Sequence, residues 1–136
     1  MLVLTRIKDE AVLIGLDVVV TVREFGTDDV RLEIQFPASM ALTGPQGAVA
    51  IEQVDGGTTP AGSSIAKRAV RVREKDLLRI GEAISVLVVR LPRGENGNLS
   101  KVRLGFDSPP DLRIDRQEVR AIRTAKGQVS ATNEVQ

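Results

Sequence analysis

The sequence predicts a mostly β protein: two small five-stranded units in one chain, packed as a pseudo-dimer, with a short helix closing the second. Three observations carry the prediction. The stretch VRLEIQFPASMALTGPQG (30–47) lines up without a gap on VRLGFDSPPDLRIDRQEV (102–119), so the chain repeats itself. The apolar residues, 42% of the total, are mainly Val, Ile and Leu; Phe25, Phe36 and Phe106 are the only aromatics, and this composition favours strands. Between the copies lies GPQGAVAIEQVDGGTTPAGSSI (44–65), which opens on Gly-Pro and ends as a Gly/Ser/Thr/Pro tether.

In the first copy, strands are expected near 1–7, 11–14, 17–24, 30–36 and 39–43. Val18, Val20 and Val22 alternate with Asp17, Val19, Thr21 and Arg23, a period of two with one strongly apolar face. Gly15 marks a tight turn, and GTDD (26–29) a hairpin loop. Pro37 cannot donate to a sheet ladder, so it should part the fourth strand from the fifth. The second copy follows at an offset of 66 residues, with LLRIGEAISVLV (77–88) over AVLIGLDVVVTV (11–22). From Val102 over Val30 the offset becomes 72, because PRGENGNLS (92–100) carries the extra residues of a surface loop. Matching strands are expected near 67–73, 77–80, 83–91, 101–107 and 112–115. RQEVRAIRTAK (116–126) then reads as a short helix with Asp115 as its N-cap. The expected organisation is a first unit at 1–44, a flexible linker at 45–66, a second unit at 67–126 and a disordered tail at 127–136. A unit of about 45 residues is too small to bury a stable core alone, so the copies should pack on each other.

With no Cys and no His, the sequence offers no thiol nucleophile, disulfide, imidazole base or usual zinc ligand. Its carboxylates fall in turns and strand edges with no paired constellation, and GPQG lacks the Lys-Ser/Thr of a phosphate loop. No enzyme, cofactor or metal is expected. The N-terminal stretch is not a signal peptide, and no apolar run approaches a membrane span, which predicts a soluble, cytoplasmic protein. The net charge is +1 but unevenly spread: residues 1–63 balance to −5 and residues 64–136 to +6. A basic half is a candidate anion-binding half.

MLVLTR, an IG followed by alternating valines, VRL, and a Pro before a short strand ending in Arg occur here in a fixed order. This pattern resembles the carbon storage regulator (CsrA/RsmA) family, from Met1 to Leu42 and again from Arg68 to Ile122. The resemblance implies two CsrA-like units packed as an intertwined pseudo-dimeric β-barrel or sandwich. It also implies an RNA-binding translational regulator that takes GGA-containing hairpin loops of mRNA leaders, modulating initiation or message stability. In that family the first strand of one subunit lies beside the fifth strand of the other, making two composite RNA sites.

Carried onto this chain, one site joins Leu4, Thr5, Arg6 and Ile7 to Leu112, Arg113, Ile114, Asp115 and Arg116. The other joins Arg71, Val72 and Arg73 to Leu42 and Gly44; there Val72 stands for Arg6 and Gly44 for Arg116. The first is expected to be intact and the second decayed, with Arg71 and Arg73 on the opposite face from Val72. Expected partners are mRNA and small regulatory RNA, with a protein antagonist also allowed by the resemblance; a monomer is favoured over a homodimer. The alternative is a protein-interaction module of the same fold that has lost RNA binding.

Overall fold

In the computed structural model, residues 1–48, 52–58, 62 and 64–116 are described. Twelve strands form among them: β1 (Leu2–Ile7), β2 (Ala11–Ile14), β3 (Val18–Phe25), β4 (Val30–Pro37), β5 (Leu42–Gly44), β6 (Gly47–Ala48), β7 (Glu52–Thr58), β8 (Ser64–Val72), β9 (Leu77–Ile80), β10 (Ile84–Arg90), β11 (Lys101–Asp107) and β12 (Ile114–Arg116). They assemble into two antiparallel six-stranded sheets, in the orders β1-β11-β10-β9-β5-β6 and β12-β2-β3-β4-β8-β7.

Each sheet is therefore a mixture of the two copies. β2, β3 and β4 of the first copy are flanked by β12 and β8 of the second; β9, β10 and β11 of the second are flanked by β5 and β1 of the first. Among the described residues both sheets are open-edged, so the barrel form of the expected architecture gives way to a pair of sheets. Their inward residues, among them Val20, Leu32 and Ile34 on one sheet and Ile80, Val86 and Leu104 on the other, form one core cluster. The alternation read from the sequence is the cause: in β4, Val30, Leu32, Ile34 and Phe36 are buried while Arg31, Glu33 and Gln35 are not.

The two copies repeat down to single backbone bonds. Asp9 and Lys75, one offset apart, hold φ of 70° and 76°, and Gly15 and Gly81 hold 61° and 66°. The Asp9 N–H donates to Val22 O at 2.6 Å and the Lys75 N–H to Val88 O at 2.7 Å. The Gly15 N–H donates to Arg113 O and the Gly81 N–H to Ala41 O, both at 2.8 Å, so the β2–β3 turn and its counterpart, the β9–β10 turn, are each tied to the other copy. Even the irregularities agree, with one register shift between Val22 and Glu24 and another between Val88 and Arg90. The extra loop at 92–100 is pinned across its neck by an Arg93–Leu99 bridge.

Two expectations need adjustment. The segment expected as a linker at 45–66 contributes β6, β7 and the start of β8. Pro45 and Gln46 make a tight hairpin turn, with Gly44 paired to Gly47 and Thr43 to Ala48. Asp115 lies buried within β12 and Arg116 ends that strand, so neither begins a helix. The remainder of the expected helix, and the expected disordered tail, lie outside the described residues.

Two predictions follow from this packing. Gly15 sits at positive φ, and a Cβ there would lie 2.9 Å from Leu112 Cδ2. Gly15→Ala should destabilise the fold by about 1–2 kcal/mol in urea titration, the cost of a left-handed L-residue. The second concerns Glu33. Burial pushes its carboxyl up, but hydrogen bonds from Arg23 and Lys67, with their charges, outweigh this and hold it below the ordinary 4.5. The native carboxyl thus binds its proton less readily than the unfolded one, giving stability above about pH 4.5 that is lost as pH falls through the native value. Glu33→Gln should flatten the acid limb of a plot of urea midpoint against pH; an unchanged limb would exclude this triad as a contributor.

Candidate nucleic-acid interface

β1 and β12 come from different copies and end different sheets, each with a strand neighbour on one side only among the described residues. Arg6 brings them onto a common face. It pairs in register with Val102 of β11, yet its Nη1 donates to Ala11 O of β2 at 3.5 Å. Arg116 pairs in register with Val12, the next residue along β2. Both arginines therefore converge on the Ala11–Val12 backbone from opposite sheets.

Their environments differ sharply. Arg6 is only 5% exposed; its Nε donates to Thr5 O at 2.8 Å and lies 3.6 Å from Glu10 Oε1. It is an internal tie between the sheets. Arg116 is exposed. Arg113, also exposed, has its Nε 3.4 Å from Oδ1 of the buried Asp115. Thr5 and Ile7 are exposed, whereas Leu4, Leu112 and Ile114 are half-buried against the core. The face thus presents strand-edge backbone, one outward arginine and a second in an ion pair. Sequence reasoning placed Arg6 among the contacts; the signal for its burial was its sharing a strand face with the half-buried Leu4.

The other junction is built differently. The register of β8 on β4, with Val72 opposite Val30, matches that of Arg6 opposite Val102, so Val72 occupies the place of Arg6. Val72 is fully buried, and Arg71 and Arg73 project to the exposed side. Arg71 donates to Asp29 Oδ1 at 3.2 Å and to Glu24 Oε1 at 3.1 Å. Leu42 is in the core and Gly44 adjoins the hairpin turn. Here β5 is covered by β6, and the first residues of β8 are covered by β7.

No group of acidic residues that could hold a metal occurs among the described residues, and none of their helices is long and apolar enough to cross a membrane. Residues 1–44 match the CsrA family, a global regulator protein family. The matched segment is the first 44 of 136 residues, and over it the chain is similar to that family. No curated protein and no solved structure matches the chain.

The buried tie yields a prediction. Arg6→Ala would strip Ala11 O of its side-chain donor and leave a void between the sheets. It should lower folding stability by about 1–3 kcal/mol. Arg116→Ala, at an exposed strand end, should leave the urea midpoint unchanged.

Proposed function

We propose that this chain is an RNA-binding post-transcriptional regulator acting as a monomeric pseudo-dimer, which binds GGA in hairpin loops of mRNA leaders through one composite face. The observation that carries the reading is the unequal fate of equivalent strands. Among the described residues β1 and β12 have no outer neighbour, whereas β5, the counterpart of β12, has β6 beside it, supplied by the segment between the copies. An outer edge offers a row of backbone N–H and C=O groups, and unpaired loop bases present hydrogen-bonding edges to meet them. Arg116 adds a charged, planar fork for phosphate or guanine at the end of that row. No aromatic residue lies on β1 or β12, so recognition works by hydrogen bonding and charge rather than stacking. Arg6 serves this face from beneath, fixing the separation of the two edges.

A second reading has its own observation. Leu2, Val3 and Ile7 on β1 are exposed, so an outer strand carries apolar side chains, and a protein segment could add to it as a further strand. A gel shift with a GGA hairpin at stated salt separates the two, since only the RNA reading gives a complex that a GGA→CCA loop abolishes.

Arg116→Ala should weaken hairpin binding by ~1.5–3 kcal/mol, the loss of a charge-assisted hydrogen bond. Titration should saturate at one hairpin per chain, and light scattering at low micromolar concentration should give the mass of one chain, 14.7 kDa. Two hairpins bound with equal affinity would contradict the single-face reading; a two-chain mass would show strand exchange between molecules.

A further inference from the structure

A groove of about 750 Å³ lies between β8 and the Gly44–Gly47 turn, on the side of the molecule where the second composite face would stand. A smaller one of about 280 Å³ continues it past Lys75 and Arg79, sharing Gly44, Pro45 and Asp76. Cations dominate the combined wall: Arg68, Arg71 and Arg73 on the first part, Lys75 and Arg79 on the second. The acids that face them, Asp29 and Asp76, are already engaged. Asp29 accepts from Arg71, and Asp76 accepts from the Arg73 backbone N–H at 2.8 Å.

Arg68 supplies an independent observation. Its Nε is buried and has no hydrogen-bond partner. Arg68 lines the groove with a guanidinium whose hydrogen bonding within the protein is incomplete, and an anionic oxygen is the strongest acceptor for such a group. The opposite wall is open to such a group: Gly47 has φ of +110°, and nothing lies within 4 Å of where its Cβ would be. The edge of β5 is occupied by β6, so this groove lacks the paired strand edges that could read bases. What remains is charge and guanidinium donors, the chemistry of phosphate oxygens.

We infer that this groove is a phosphate-ester site, separate from the hairpin-reading face, holding either a free nucleotide or the phosphodiester backbone of RNA without regard to sequence. Its volume is that of an ordinary small-ligand cleft. The inference stands independently of the hairpin reading, because it uses different strands and different arginines.

The test uses the full chain and two probes in fluorescence anisotropy at low salt: a labelled twelve-residue oligocytidylate and labelled ATP without magnesium. Binding of at least one probe should weaken about tenfold or more in Arg68→Gln, as expected for losing a hydrogen bond to a charged group. It should weaken similarly in Arg73→Glu, whose exposed position keeps the test valid if Arg68→Gln disturbs β8. Arg116→Ala should leave it unchanged. Oligocytidylate binding without ATP binding identifies the RNA backbone as the source, and comparable ATP binding identifies a nucleotide. Absence of millimolar or tighter binding by both probes overturns the inference, as does binding that survives Arg73→Glu or is lost in Arg116→Ala. GGA-hairpin affinity measured on the same variants reports the other face, so failure of one proposal is visible apart from the other.

Discussion

The structure depends on a reciprocal loan of strands. Neither copy holds enough residues to enclose a core, and each sheet is completed by two strands of the other copy. β1 lies along β11 over six paired residues and β8 along β4 over eight, and the inward side chains of these pairs are core residues of both sheets. Separating the copies would expose the apolar faces of β4 and β11 and unpair their backbone at once. The tether makes the exchange local: two adjacent complementary copies on one chain meet at roughly millimolar effective concentration.

Much of this was legible because it rests on period and register. Alternating valines gave the inward face of β3, and the repeat offset of 66 residues aligned Val72 with Arg6. The positive-φ turns were marked by Gly15 and Gly81, though not by Asp9 and Lys75, residues without glycine's freedom. The segment after Gly44 was the least legible. EQVDGGT carries two glycines and two acids, a poor strand by propensity, yet β7 pairs with β8 because that edge is within reach. Context supplied what the residues did not.

Arg6 shows how a residue type can mislead. An arginine near a strand end in a chain resembling RNA-binding proteins reads as a ligand contact. Its position in the alternation says otherwise: it shares a face with Leu4, and its counterpart Val72 is wholly apolar and buried. The core beneath the two faces is therefore solved in two ways, by a hydrogen-bonded guanidinium on one side and by a valine on the other. A buried, hydrogen-bonded charge specifies geometry more narrowly than an apolar side chain of similar reach, since its donors must meet particular carbonyls. The side with the arginine is also the side whose strands β1 and β12 lack an outer neighbour among the described residues.

That correlation has a simple origin in symmetry. In a homodimer with a two-fold axis every residue occurs at both junctions, so no substitution can alter one face and spare the other. Joining the copies in one chain removes the constraint while leaving the fold intact, and Gly44 against Arg116 becomes an allowed difference. The joining segment does more than permit it. It runs from β5 to β8, which flank the same junction, and its described strands β6 and β7 pair with those two strands. β6 covers β5 at that junction and β7 the start of β8, while among the described residues β1 and β12 have no outer neighbour.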